Sequence, residues 1–318
     1  MPTTSKYRNR LPQLSGGLFL TDGGIETTLI FHEGLELPYF AAFHLLRGRD
    51  GRDALARYYE RYIAIAKADG VGFILESPTW RASTDWGGKL AYTHEDIAAA
   101  NRDAIGLMHD LRTRHETART PIVVSGCVGP RGDGYDPGQV MSAAEAKHYH
   151  AQQIDSFAEA GADMVTAITM TNADEAVGVA RAAGKAEMPV AISFTLETDG
   201  RLPTGQTLAD AIGAVDAATA SGPAYYMINC AHPTHFDDTL AADANWTKRI
   251  RGIRANASRR SHQELNDASD LDAGDPVELG GQYRELVRRH PQINVLGGCC
   301  GTDHRHVECI SLACRAVA

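Results

Sequence analysis

The residues most able to do chemistry are sulfurs. Cys299 and Cys300 are adjacent within Gly297-Gly298-Cys299-Cys300-Gly301-Thr302, directly after an apolar run. A third, Cys230, follows Asn229 at the end of another apolar run, two strand–helix units earlier. Thiolates are preferred zinc ligands, and a catalytic zinc has three protein ligands and one position left for a reactant. Two adjacent cysteines on one metal need an unusual backbone, which flanking glycines permit. Three thiolates around Zn2+ carry net negative charge and keep the sulfurs electron-rich. A substrate thiol entering the fourth position would lose its proton and become a nucleophile without a separate general base. Two other uses of these cysteines stand beside this one. Buried free cysteines often simply pack, although adjacent cysteines in a glycine-rich turn make poor core. A redox pair would require a strained vicinal ring, and there is no C-x-x-C motif.

A second constellation is Thr21-Asp22-Gly23-Gly24. A carboxylate beside open backbone N–H groups can hold the ammonium and carboxylate ends of an amino acid. Asp-Gly also makes an ordinary strand-to-loop turn.

These residues need a scaffold that aims them at one point. Short apolar runs at 18–21, 71–75, 121–125, 163–168, 190–194, 225–229, 250–255 and 293–296 alternate with helical stretches. Continuous apolar strands suit a parallel sheet buried on both faces. Between them, Leu55, Tyr58, Tyr59, Tyr62, Ile63 and Ala66 recur at helical spacing. Thr93/Asp96 and Ser142/Glu145 read as capping boxes, Thr207/Asp210 as a third helix start, and Asp275-Pro276 as a cap followed by proline. Eight such units in 318 residues predict one α/β domain over 1–318, a (β/α)8 barrel, with an open doubly wound sheet as the alternative. Residues 1–15 are expected to be flexible or peripheral. The polar stretch 258–275 is expected to be a long loop over the mouth of the barrel, where such enzymes keep their active sites.

The totals narrow the partners. Hydrophobic residues make up 43% and charged residues 22% of the chain, as in a packed globular protein. A net charge of −9 argues against nucleic-acid or anionic-membrane binding. No membrane-length apolar stretch and no signal-like leader is present, so a cytoplasmic location is expected. The six cysteines then read as thiols or ligands rather than a disulfide framework. Small molecules are the expected partners of a monomer or small homo-oligomer.

Asp22-Gly23-Gly24, Gly126-Cys127-Val128-Gly129-Pro130, Ala160-Gly161-Ala162-Asp163, Ser193-Phe194, Asn229-Cys230 and the Gly297–Thr302 run occur in the order seen in the homocysteine S-methyltransferase family. The chain resembles that family from about Leu18 to Ile310. The resemblance implies a (β/α)8 barrel and a zinc held by Cys230, Cys299 and Cys300. It also implies methyl transfer to the thiol of homocysteine, giving methionine, with Asp22 helping to hold the amino acid; Gly23, Gly24 and Asn229 are further candidates for binding substrate. The expected donor is a small onium compound: S-methylmethionine, S-adenosylmethionine or a betaine. Folate and cobalamin users carry further domains.

The chain also departs from the family. After strand four the family has Phe-Glu-Thr, whose Glu binds the substrate amino group; here Ala167-Ile168-Thr169 stands instead. Glu76, at the end of strand two, is a candidate replacement, with an ion pair to Arg81 or Lys89 as the plainer role. Trp80 is a candidate wall for a cationic donor through cation–π attraction, with Trp86 second; either ring can equally be core. Cys127 stands where the family has Ser and reads as a small packing residue, and Cys309 and Cys314 as core. Of the histidines, His232, His235, His304 and His306 lie near the cysteine motifs, with His232 the best placed for a substrate contact. A different thiol or selenol acceptor, a zinc hydrolase, and a non-catalytic zinc- or thiol-binding barrel remain the alternatives.

Overall fold

A computed structural model describes residues 5–241, 244–268 and 270–317. Eight parallel strands close on themselves in sequence order: β1 (Phe19–Leu20), β2 (Gly72–Glu76), β3 (Ile122–Val128), β4 (Met164–Met170), β5 (Val190–Thr195), β6 (Tyr225–Asn229), β7 (Ile250–Ala255) and β8 (Val295–Gly298). Each falls on a run expected to be a strand, and the closure of β1 on β8, Phe19 opposite Val295, excludes the open sheet. Except for half-buried Arg251, every strand residue is buried, because helices cover the outer face and side chains fill the inside.

The helices begin where local chemistry starts them. Thr93 and Ser142 form reciprocal capping boxes with Asp96 and Glu145. Thr207 accepts from the Asp210 backbone N–H, and Asp275 caps the helix Pro276–Arg289. Each such cap is worth about 1 kcal/mol. The long helix Arg49–Asp69 lays Tyr58, Tyr59, Tyr62, Ile63 and Ala66 against the barrel. It stops at Gly70, whose φ of +66° is the left-handed turn glycine adopts without penalty.

Two findings differ from the sequence expectation. Residues 5–15 are not peripheral. They close the base of the barrel, with Leu11 buried against Phe19, Met164 and Tyr225, and the Lys6 and Tyr7 backbone N–H groups donating to Asp163 Oδ1 at 2.7 and 2.8 Å. Residues 1–4 lie outside the described residues. The stretch 258–275 is also not wholly loop. It contains the short helix His262–Asn266, started by a Ser261/Glu264 capping box. Four polar residues dominated its composition, so the helix had no apolar periodicity to announce it. Among the described residues, no helix is long and apolar enough to cross a membrane.

Candidate active site

The cysteines gather at the C-terminal ends of the strands. Cys230 follows β6, and Cys299 and Cys300 follow β8; their three sulfurs lie within 4.8 Å of one another. The backbone is bent to do this. Cys230 has φ of +54°, uncommon for a residue with a side chain, and its N–H donates to the Arg254 carbonyl at 3.0 Å. Cys299 N–H donates to the Ala255 carbonyl at 2.8 Å, so both motifs hang from β7. At Gly298 an added Cβ would collide with the Thr302 side chain, and Gly301 takes φ of +77°. These two glycines set the turn.

Cys230 and Cys299 are joined as a disulfide, with Cα atoms 5.3 Å apart, and Cys300 remains a free, exposed thiol. The donor set nonetheless fits a tetrahedral thiophilic metal. A metal–sulfur bond of about 2.3 Å places sulfurs about 3.8 Å apart in a tetrahedron, and Cys230 Sγ stands 3.7 Å from Cys300 Sγ. Cys127 is elsewhere: it is buried, and burial holds its thiol pKa well above the ordinary value.

Polar groups surround the sulfurs. The Tyr135 hydroxyl reaches Cys230 Sγ at 3.4 Å and Cys300 Sγ at 3.2 Å. Its ring stacks on His262 with centroids 3.8 Å apart. His262 Nε2 lies 2.8 Å from the Cys230 carbonyl oxygen, so the 258–275 stretch reaches the site through this residue. Asn229 is wholly engaged. Its Oδ1 accepts from the Thr169 N–H at 2.9 Å and Ser193 Oγ at 2.6 Å, while Nδ2 donates to Thr169 Oγ1 at 2.9 Å and points at Cys299 Sγ at 3.8 Å. It ties β4, β5 and β6 beneath the sulfur, at the bulge where Ile168 and Thr169 leave the register.

Asp22 and Glu76 meet inside the barrel, bridged by Arg254 of β7. Arg254 Nη2 donates to Asp22 Oδ1 at 2.7 Å, Nη1 pairs with Glu76, and Nε donates to the Gly298 carbonyl at 3.0 Å. Asp22 Oδ2 accepts from the Tyr58 hydroxyl at 2.9 Å. Burial works against the Arg254 charge, but Asp22 and Glu76 outweigh it and raise its pKa. Glu76 therefore pairs with neither Arg81 nor Lys89. Gly23 and Gly24 sit tightly beside this group. An added Cβ at Gly24 would come within 2.7 Å of the Cys299 carbonyl oxygen.

Trp80 is not free to receive a cation on both faces. The Arg81 guanidinium lies 4.1 Å from its ring centroid and 3.5 Å from that of Trp86. Arg81 also holds the Gly132 carbonyl and Asp133, fastening the loop that carries Tyr135. Three of the four flagged histidines have structural partners. His232 Nδ1 caps the helix Pro233–Leu240, His235 bonds the Arg259 carbonyl, and His306 bonds Asp303 and the Ala273 carbonyl.

Glu26 is the carboxylate that sequence reading passed over. It lies four residues after Asp22, between Gly24, whose N–H donates to the Thr302 carbonyl at 3.0 Å, and Thr27, whose Oγ1 accepts from Gly301 N–H at 3.1 Å. Burial, then the nearby Asp22 charge, push its pKa up to about 7. Arg254, Tyr135 and His262 were missed too. An arginine inside a buried strand was the one readable signal, because a buried cation demands buried anions. Tyr135 and His262 sit in irregular segments that carry no periodic pattern.

The family model described as homocysteine S-methyltransferase matches residues 19–314. The chain is 21% identical to homocysteine S-methyltransferase 4 of Zea mays, covering 95% of this chain and 90% of that protein. It is 23% identical to the selenocysteine Se-methyltransferase of Brassica oleracea var. italica, covering 93% and 88%. The fold is similar to the homocysteine methyltransferase MmuM of Escherichia coli. Its oxidized form superposes with a TM-score of 0.74 at 17% identity, covering 96% and 99% of the two chains. Its metallated form gives 0.71 at 17% identity, covering 98% and 100%.

Proposed function

For this chain, which belongs to the homocysteine S-methyltransferase family and is thereby a thiol methyltransferase, we propose a zinc-dependent transfer from a small onium donor to homocysteine or a closely related aminothiol. The observation that carries this reading is the set of three sulfurs within 4.8 Å at the mouth of the barrel, with Cys300 open to solvent. Zinc bound there would supply acidity, making the acceptor thiol a thiolate at neutral pH.

The chain's own residues do the rest. Cys230, Cys299 and Cys300 hold the metal. The Tyr135 hydroxyl lies within reach of two of those sulfurs, and its one proton, donated to either thiolate, drains part of that sulfur's charge. Arg254 holds the backbone from which Cys299 and Cys300 project, and Asn229 Nδ2 points at the Cys299 sulfur. Asp22 and Glu76, held by Arg254, floor the site, and Gly23, Gly24 and Trp80 adjoin it. In the transfer, the acceptor sulfur forms a bond to the donor methyl carbon while the carbon–onium bond breaks. The onium centre keeps that electron pair and leaves neutral. No base is needed at this step, so alignment of sulfur, carbon and leaving group is the protein's main contribution, worth up to about 7–11 kcal/mol.

Zinc content and methyl transfer on the same reduced protein test the reading. Homocysteine is offered with S-methylmethionine, S-adenosylmethionine or glycine betaine, beside a Cys299→Ser control. One zinc per chain with methionine formed, both lost in the control, is the expected result. Reduced protein that takes up no zinc overturns it.

A further inference from the structure

The site needs a carboxylate for an acceptor ammonium, and the two candidates read from the sequence are already spoken for. Asp22 uses one oxygen on Arg254 at 2.7 Å and the other on Tyr58 at 2.9 Å. Glu76 is paired with the same guanidinium and is only 4% exposed. At the end of β4, Ile168 offers no charge. Arginine has a fixed fork of donors and stays protonated, so releasing either carboxylate to a ligand breaks a buried, charge-assisted bond to Arg254.

Glu26 is different. Among the described residues its side chain makes no hydrogen bond or ion pair to another side chain, and it is partly exposed rather than sealed in the core. Its backbone neighbours on both sides are bonded to the turn that bears Cys299 and Cys300. An added Cβ at Gly24 would come within 2.7 Å of the Cys299 carbonyl oxygen, so the segment that carries Glu26 lies against the sulfur-bearing turn, with Glu26 partly exposed there.

Resting on the aminothiol reading above, we propose that Glu26 receives the ammonium group of the acceptor, in the role left vacant at Ile168. An acceptor sulfur beside Cys300 carries its ammonium on a short carbon chain, and Glu26, on the segment packed against that turn, has no side-chain partner among the described residues. The ammonium in turn supplies a cationic partner through a charge-assisted hydrogen bond. The acceptor carboxylate is then left to the cationic side of the mouth, where Arg81 lies.

The test is calorimetric binding to the zinc-loaded full chain, with no methyl donor present. Three thiols are compared: homocysteine, 3-aminopropanethiol, which keeps the ammonium alone, and 4-mercaptobutyrate, which keeps the carboxylate alone. Wild type should bind homocysteine and 3-aminopropanethiol more tightly than 4-mercaptobutyrate. Glu26→Gln should weaken both by about 30-fold, the scale of a lost charge-assisted bond, and leave 4-mercaptobutyrate unchanged or tighter. Glu26→Asp should recover part of the loss. Thermal unfolding of each variant checks that the fold persists, and Glu26→Ala repeats the readout with a smaller side chain. If Glu26→Gln and Glu26→Ala bind the amino compounds as wild type does, the proposal is overturned while the thiol reading stands. If wild type binds none of the three thiols, that reading falls and takes this one with it.

Discussion

Arg254 and Asp22 form a buried ion pair at 2.7 Å, and the same guanidinium reaches the carbonyl of Gly298, the residue before Cys299. The floor of the site is thus built from two carboxylates, one arginine and the start of the sulfur-bearing turn. Removing the arginine strands both carboxylates in a low-dielectric interior. Arg254→Met is expected to destabilise the reduced protein by about 3–5 kcal/mol. Adding Glu76→Gln should restore part of that loss, because one buried charge disappears. Urea unfolding of the single and double variants checks this. Equal stability of Arg254→Met and wild type would show that the triad is not structural.

This floor also shows which parts of the molecule were legible in the sequence. The eight strands were readable because parallel strands are apolar throughout, and the helix starts because Thr93, Ser142, Thr207 and Asp275 satisfy N–H groups locally. The grouping of Cys230 with Cys299 and Cys300 followed from their places at strand ends. Ion pairing across the barrel was not legible. Asp22, Glu76 and Arg254 are far apart in sequence, and only closure of the sheet brings β1, β2 and β7 to one point. Glu26 escaped for the opposite reason. One acidic residue after a glycine pair looks like an exposed helix start until the Cys299–Thr302 turn folds over its neighbours.

Glu26 should leave a signature in the pH dependence of stability. Folding raises its pKa from 4.5 to about 7, through burial first and the Asp22 charge second. The native state thus holds this proton more tightly than the unfolded chain does. The stabilisation is fully present below pH 4.5 and is lost as pH rises through 7. Glu26→Gln has no proton to lose. Its stability relative to wild type should therefore improve by about 1–2 kcal/mol between pH 5 and pH 8, allowing for partial solvent screening. Denaturant unfolding of the reduced, metal-free proteins at the two pH values makes the comparison. An unchanged difference would show that the carboxyl is not perturbed.

The disulfide between Cys230 and Cys299 withholds two of the three sulfurs from a metal. Protein prepared without reductant should therefore bind little zinc, and thiol reductant should raise the content to about one per chain. Cys127 lies apart from the cluster and is buried, so Cys127→Ser should leave that stoichiometry unchanged. Zinc uptake by the fully oxidised protein at the same level would place the metal elsewhere.

Tyr135 makes the final case, because its contacts separate a metal effect from a folding effect. Its hydroxyl spans Cys230 and Cys300 at 3.4 and 3.2 Å, while its ring rests on His262. Tyr135→Phe keeps the ring and the stack and removes the hydroxyl alone. A donor to a thiolate tunes how strongly that sulfur binds a metal, and the loss of such an outer partner commonly costs about 10- to 100-fold in affinity. Chelator competition should show a loss of that size in Tyr135→Phe, with an unfolding midpoint in the reduced, metal-free state close to that of wild type. Tyr135→Ala removes the stack as well and should also loosen the 258–275 stretch, read as faster proteolysis there. If Tyr135→Phe holds zinc as tightly as wild type, the hydroxyl only covers the sulfurs. The two contacts would then be packing rather than tuning.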